Sequence, residues 1–418
     1  MVTLETGGVP QQAFCDPAAD IRTEISDTSG MPELPDKIWF HRTAAAVIDA
    51  GRCVGCGGCI AACPSRSISV GEDGHPTLIQ MCTGCSACWD YCPMSGLRTE
   101  RISGQARTPN KNGEYSLGEV LEAVSARALR RPEQAQDGGV VTAVLGALLE
   151  SGHIDGVIAT RKVDAFHCEA FIATSPVEII EASGSVYHQA HPLAMLNEIR
   201  RGSLGRLAFI GTPCQISALR ALQLYPWKNR DSLASGVTLA LSLFCTRSFD
   251  PEKLQAAIAA RGIDISAVRK IDVRSGRLTV ENFDGQNVLG AKVTEFRRAA
   301  LSGCGECADF TGMGADISVG NLASAAGEST VLIRSKAGAA AWEVARGVLE
   351  IKAMNGTEVL SKAATRQRNA AEARMARGFD PDGSPWITYS EHLAAYLGTD
   401  RAPASPPAHR SQSYDISC

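Results

Sequence analysis

Eight cysteines between residues 53 and 92 stand in two copies of one spacing. Cys53, Cys56, Cys59 and Cys63-Pro64 read C-x2-C-x2-C-x3-C-P, and Cys82, Cys85, Cys88 and Cys92-Pro93 repeat it. Each tight loop brings three thiolates to three corners of one cube, and the fourth cysteine starts a helical turn toward the other cube. The spacing therefore predicts a crossover. One 4Fe–4S cluster takes Cys53, Cys56, Cys59 and Cys92, and the other takes Cys82, Cys85, Cys88 and Cys63. Gly55, Gly57, Gly58, Gly84, Ser86 and Ala87 are small enough for backbone N–H groups to approach the sulfurs. Tetrahedral zinc needs only four thiolates in two pairs, so the third cysteine and the trailing Cys-Pro are superfluous for it.

Residues 46–100 resemble two-cluster bacterial-type ferredoxins. Such a pair of clusters serves as a wire for single electrons, although a purely structural cluster has the same ligands. The remaining chemistry lies further on. Cys214 and Cys245 stand near strand ends, and Cys304 and Cys307 form a C-x2-C. Four thiolates suffice for a third cube, but two buried cysteines beside a small zinc or redox-active C-x2-C would show the same spacing. Three glycine-rich points could admit a phosphate: Gly138-Gly139 before a helix, Ser183-Gly184-Ser185-Val-Tyr187 after an apolar run, and Gly211-Thr212-Pro213 between strand and helix. None is a G-x-G-x-x-G fingerprint.

The elements that must position these groups alternate. Leu117–Leu129 and Gly138–Ser151 read as helices, and Gly156–Thr160 and Glu169–Thr174 as strands. Pro192–Arg201 is amphipathic. A strand at Arg206–Ile210 leads into a helix to about Leu224. Gly236–Phe244 is a strand, and Asp250-Pro251 opens a helix. Lys270–Arg274 and Arg277–Glu281 form a hairpin. Strands near Ala315–Val319 and Thr330–Arg334 precede a helix from Ala337 to about Ile351. The expected fold class is α/β: an α+β ferredoxin-like two-cluster domain, then a larger mixed-sheet α/β domain. The expected domains are an extension at 1–45, the ferredoxin domain at 46–100, the large domain at 115–370, and a helical segment with a flexible tail at 371–418.

Gln136-Asp-Gly-Gly-Val-Val-Thr, Ile154-Asp-Gly-Val-Ile, Ser183-Gly-Ser-Val-Tyr, Gly211-Thr-Pro-Cys-Gln, Cys304-x-x-Cys-x-Asp-Phe and Ala315-Asp-Ile-Ser-Val-Gly together resemble the coenzyme F420 hydrogenase/dehydrogenase β-subunit family over about residues 115–345. The resemblance implies FAD and a 4Fe–4S cluster in the large domain. It implies that Gly138, Gly139, Ser183, Gly184, Ser185, Tyr187, Gly211 and Thr212 lie against the flavin, and that Cys214, Cys245, Cys304 and Cys307 hold the third cluster. Asp137 and Asn321 depart from the family pattern.

The function so implied is an iron–sulfur flavoprotein oxidoreductase. It joins one-electron carriers to a two-electron substrate, foremost coenzyme F420. A ferredoxin-dependent reductase of a tetrapyrrole or biosynthetic intermediate is the alternative, as is an electron-transfer subunit without catalysis of its own. The expected partners are a redox protein, either a ferredoxin or a larger complex, and a small-molecule substrate. His167, His188 and His191 lie near the presumed pocket with no assigned role. Cys15, Cys168 and Cys418 have no partner motif, and Cys168 is a reserve ligand.

The bulk numbers fit. The 418 residues carry a net charge of -4, with 44% hydrophobic and 21% charged residues, so neither nucleic acid nor anionic membrane is the expected partner. No apolar run reaches the ~20 residues of a membrane span. Fifteen cysteines, an odd number, in a chain without a signal-peptide pattern point to metal ligation in a cytoplasmic protein.

Overall fold

A computed structural model describes residues 39–94, 117–199, 204–224, 234–354 and 356–375. Most of the expected extension, the polar stretch Arg101–Glu114, the tail beyond 375, Cys15 and Cys418 lie outside the described residues.

In the cysteine-rich part, β1 (Ile68–Val70) pairs antiparallel with β2 (Pro76–Leu78), and short helices at Gly58–Ala62 and Ala87–Asp90 each carry the third cysteine of a motif. The large domain adds β3 (Glu122–Ala128), β4 (Gly156–Lys162), β5 (Cys168–Ala173), β6 (Leu207–Gly211) and β7 (Val237–Leu243). A separate three-stranded antiparallel sheet follows: β8 (Val268–Arg274), β9 (Arg277–Asn282) and β10 (Asn287–Lys292). The chain then returns through β11 (Ile317–Gly320), β12 (Ser329–Ile333) and β13 (Leu349–Ala353).

Eight strands form one mixed sheet in the order β13-β3-β12-β11-β7-β6-β4-β5. Its centre, β11-β7-β6-β4, is parallel, and the outer pairs are antiparallel. Both faces of the centre are covered, as parallel strands require. The period of two is visible in β6. Leu207 and Phe209 pack with the helix Pro213–Leu224 and the cysteine-rich domain, while Ala208 faces the helices Val140–Glu150 and Lys336–Ala345. The first of these cores is continuous between the two domains. It holds Val54, Ala61, Trp89 and Tyr91 from one, and Leu193, Ile216 and Leu219 from the other.

Two expected elements differ. The apolar spacing of Leu117, Val120, Leu121, Val124 and Ala128 has helical period, yet Glu122–Ala128 is a strand between β12 and β13. Pairing on both edges outweighs the weak intrinsic preference of an Ala-rich segment. The helix expected to reach Ile351 stops at Ala345, where a short 3-10 turn at Arg346–Val348 containing Gly347 leads into the edge strand β13. The amphipathic stretch from Pro192 is a 3-10 turn to Met195 followed by the helix Leu196–Ile199. The helix after Asp250 begins as expected, with the Asp250 carboxylate accepting the Lys253 N–H at 3.0 Å. The helix Glu358–Met375 runs through the boundary expected at 370.

One buried ion pair ties the centre of the sheet to its helices. Asp316 accepts from Arg220 at 2.8 Å, from the Ala240 N–H at 2.7 Å and from Ser335 at 2.7 Å. Asp316→Ala strands the Arg220 guanidinium in the core, so the expected loss of stability is about 3–5 kcal/mol. Glu343→Ala, at the exposed pair with Arg346, should leave the unfolding midpoint almost unmoved. Anaerobic urea unfolding of both variants beside the parent chain checks the contrast.

Candidate iron–sulfur and flavin centre

Twelve of the cysteines gather into three groups, each made from separate loops. In the first, burial pushes the Cys56 thiol well up, and the charges of Cys92 and Cys53 push it further. Cys59 is raised by burial and then by Cys56, Cys53 and Cys92. In the second, Cys88 is pushed up to about 12 by burial against a lowering hydrogen bond from Thr43, with Cys85, Cys82 and Cys63 adding to the rise. Cys63, Cys82, Cys85 and Cys88 also line a common pocket with Ser65, Ser67 and Ile68. In the third, Cys214 is raised by burial and by Cys245, Cys56 and Cys304, and Cys307 by burial and by Cys214.

The donor chemistry suits thiolates rather than thiols. Backbone N–H groups point at sulfur from Gly58 to Cys56 (3.4 Å), Ser67 to Cys63 (3.2 Å), Gly84 to Cys82 (3.3 Å), Met94 to Cys92 (3.4 Å) and Ser248 to Cys304 (3.3 Å). Several of these loops turn through left-handed backbone, with φ of +61° at Gly55, +79° at Gly57 and +65° at Gly84. Buried thiols that repel one another cannot all ionise alone, and a bound cation reverses that balance. Among the described residues no three such side chains converge tightly enough for a single ion.

The groups are also neighbours. Cys214 of the third group feels Cys56 of the first, and Cys59 of the first feels Cys88 of the second. The first group therefore lies near both of the others.

The glycine-rich points come together in part. An added Cβ at Gly138 would lie 2.6 Å from the Ala126 carbonyl oxygen, so this glycine lets the loop press onto β3. Gly139, at φ +68°, precedes the helix Val140–Glu150. Gly184, at φ +104°, packs on the Gln134 carbonyl, and Gln136 donates to the Tyr187 hydroxyl at 3.0 Å, so the segments 134–139 and 183–187 are neighbours. That hydroxyl also donates to Asp272 (3.0 Å) and accepts from the Val273 N–H (2.8 Å), which leaves Tyr187 only its ring for a ligand. The Ser183 hydroxyl is buried and has no hydrogen-bond partner among the described residues. Burial raises the Asp137 carboxyl against the lowering effect of Arg274 and a hydrogen bond from Asn321, so the two departures from the family pattern touch.

Gly211 and Thr212 sit at the end of β6, with the Thr212 hydroxyl 3.2 Å from the Cys214 sulfur. Gln215 accepts the Thr212 N–H (2.8 Å) and donates to Gln189 (2.6 Å); Gln189 donates to Ser248 (2.5 Å), which in turn caps Cys304. The segment from Ser183 to Gln189 thus reaches from one glycine-rich point to the third thiol group.

The remaining candidates have other partners. Cys168, pushed up to about 12 by burial and the charge of Asp164, lies across β4–β5 from Lys162. His167 pairs with Asp164, His188 meets the Phe249 carbonyl, and His191 meets the Gly74 carbonyl. Sequence reasoning missed Gln367. Its side-chain nitrogen lies 3.3, 3.2 and 3.1 Å from the carbonyl oxygens of Cys245, Cys307 and Asp309, and so pins the third group from the last described helix. Nothing short of tertiary structure marks a glutamine in that polar helix.

Comparison with known proteins adds three family matches. Residues 204–357 match the C terminus of the coenzyme F420 hydrogenase/dehydrogenase β subunit, residues 123–197 match its N-terminal part, and residues 46–98 match a 4Fe–4S dicluster domain. The coenzyme F420 hydrogenase β subunit of Methanosarcina barkeri is 32% identical over 59% of this chain and 88% of its own length. The coenzyme F420-dependent sulfite reductase of Methanocaldococcus jannaschii is 29% identical over 76% of this chain, which spans only 49% of that protein. Among solved structures, a chain of the F420-reducing NiFe hydrogenase complex of Methanosarcina barkeri superposes with TM-score 0.59 at 29% identity, covering 65% of this chain and 98% of that one. Among the described residues no helix is long and apolar enough to cross a membrane.

Cys63 tests the crossover. Cys63→Ser should disturb the group containing Cys82, Cys85 and Cys88 and spare the one containing Cys53, although Cys63 follows Cys59 directly in its motif. Anaerobic iron analysis with spectra of the reduced chain, compared with Cys82→Ser and Cys53→Ser, should show Cys63→Ser matching the first comparison. A match to Cys53→Ser would reverse the assignment.

Proposed function

Since the chain belongs to the coenzyme F420 hydrogenase/dehydrogenase β-subunit family, we propose that it is an oxidoreductase carrying electrons between reduced coenzyme F420 and one-electron acceptors, with FAD and three 4Fe–4S clusters. The observation that carries this reading is the gathering of three neighbouring thiol groups between the end of β6 and the outer cysteine loops. A redox protein that served only as scaffold would not need them together. When bound, FAD supplies two-electron hydride chemistry and the clusters supply one-electron steps. The balance is simple: reduced F420 gives up a hydride and a ring proton, which together are two protons and two electrons. The electrons leave singly for two one-electron acceptors, and both protons go to water.

The protein's own residues have distinct parts in this scheme. The buried Ser183 hydroxyl and the turn at Gly184 offer a polar cradle for the cofactor, beside the N-terminus of the helix Val140–Glu150. Thr212 and Gln215 join that cradle to Cys214. Asp137 and Asn321 form a polar contact near it. The likeness to a chain of a hydrogenase complex supports a second reading, in which this chain does the same work as a subunit of a larger assembly.

Two experiments test the reading. Gly139→Val forces a β-branched side chain into left-handed backbone and toward Arg131. It should lower the FAD released on denaturation at least severalfold while leaving iron unchanged. The Cys214→Ser/Cys304→Ser variant should keep FAD and lose about four irons, the complement of one cube. Reduced F420 should still bleach its flavin, while electron delivery to an added acceptor protein falls by more than tenfold. Full iron content and an unchanged rate would remove these cysteines from the route, and a parent chain without FAD after reconstitution would remove the flavin.

A further inference from the structure

Arg52 directly precedes Cys53, and Glu306 stands between Cys304 and Cys307. The two side chains meet at 2.8 Å as an ion pair that is 2% and 3% exposed. They join the first thiol group to the third at the seam between the domains. The backbones there are nearly in contact, since an added Cβ at Gly303 would lie 2.1 Å from the Arg52 carbonyl oxygen. Arg52 also donates to the Ala46 carbonyl at 3.2 Å, which ties it to the cysteine-rich side. On the other side, the second carboxylate oxygen of Glu306 is buried with no hydrogen-bond partner among the described residues.

A seam that needed only adhesion would be served as well by apolar contacts, because burying an ion pair costs desolvation that packing does not. Here one carboxylate oxygen is left unsatisfied among the described residues, on the residue between Cys304 and Cys307, in a group whose other charged neighbours are Asp309, beside Cys307, and Arg247, beside Cys304. Reduction adds one negative charge to a cluster, so a neighbouring cation raises its potential and a neighbouring anion lowers it.

We propose that the Arg52–Glu306 pair is an electrostatic step that sets the third group below the first in reduction potential and biases single electrons to leave the large domain for the cysteine-rich domain. The inference rests on the three-cluster reading above. In the step concerned the third group is oxidised by one electron and the first is reduced by one, with no proton transferred. Arg52 and Glu306 act through the thiol groups they adjoin, as positioning residues for charge.

The test is an anaerobic redox titration of the full chain followed by electron paramagnetic resonance. The potential that vanishes in Cys214→Ser/Cys304→Ser identifies the third group. In the unaltered chain this potential should be the lower of the two, and the opposite order overturns the proposal without any further variant. Glu306→Gln should raise the third group's potential, and Arg52→Gln should lower the first group's. Either change should shift a shared electron's distribution between the groups by about tenfold, for a charge ~10 Å away at an effective dielectric of ~20. Because a single change strands one buried charge, Arg52→Gln/Glu306→Gln is the companion variant. It keeps a polar contact and should narrow the gap. A pair that serves only as a clamp would change stability or iron retention while leaving the potentials of the loaded protein where they were, and that result refutes the proposal. A parent chain with fewer than about twelve irons, the complement of three cubes, would instead defeat the three-cluster reading.

Discussion

Four thiols buried together repel one another as soon as they ionise, and burial alone already opposes the charge. Most of this chain's architecture follows from how that constraint is met three times over. Each group draws on loops far apart in sequence. The first spans Cys53 to Cys92, and the third spans Cys214 to Cys307. The loops approach closely where glycine permits it, and backbone N–H groups are turned toward sulfur. Iron is the proposed counter-charge, and the fold sets the first thiol group near both of the others.

The sheet serves that arrangement. Its parallel centre ends at Gly211 and near Cys245, so β6 and β7 deliver Cys214 and Cys245 side by side. The face of the sheet bearing Leu207 and Phe209 is covered by the helix Pro213–Leu224 and the cysteine-rich domain within one continuous core. The two domains are therefore not beads on a linker. The loop carbonyls of Gly55 and Cys56 accept N–H groups from His191 and Leu193, at 3.1 and 3.3 Å, which fixes the first thiol group against the large domain.

Much of this was legible in the sequence, for identifiable reasons. The two cysteine motifs carry their chemistry in local spacing, and parallel strands such as Leu207–Gly211 announce themselves as short apolar runs before a Gly-Thr-Pro turn. Glu122–Ala128 did not, because its Ala-rich pattern suits a helix and only its partners on both edges make it a strand. The edge strand Leu349–Ala353 was hidden behind a helix that ends where Gly347 interrupts it. The spacing of Cys304 and Cys307 left zinc and iron open, and the proximity of Cys214 and Cys245 is a property of the sheet rather than of any motif. Gln367 and the Arg52–Glu306 pair were invisible for the same reason: their meaning depends on residues 58 to 254 positions away.

The most direct measurement is the electron paramagnetic resonance spectrum of the fully reduced, anaerobically prepared chain. Spins on neighbouring clusters split one another's signals, so that proximity has a spectral signature. The account predicts three reduced clusters, with one coupled to both of the others. A spectrum that is the plain sum of independent signals, or one holding only two clusters, would contradict it.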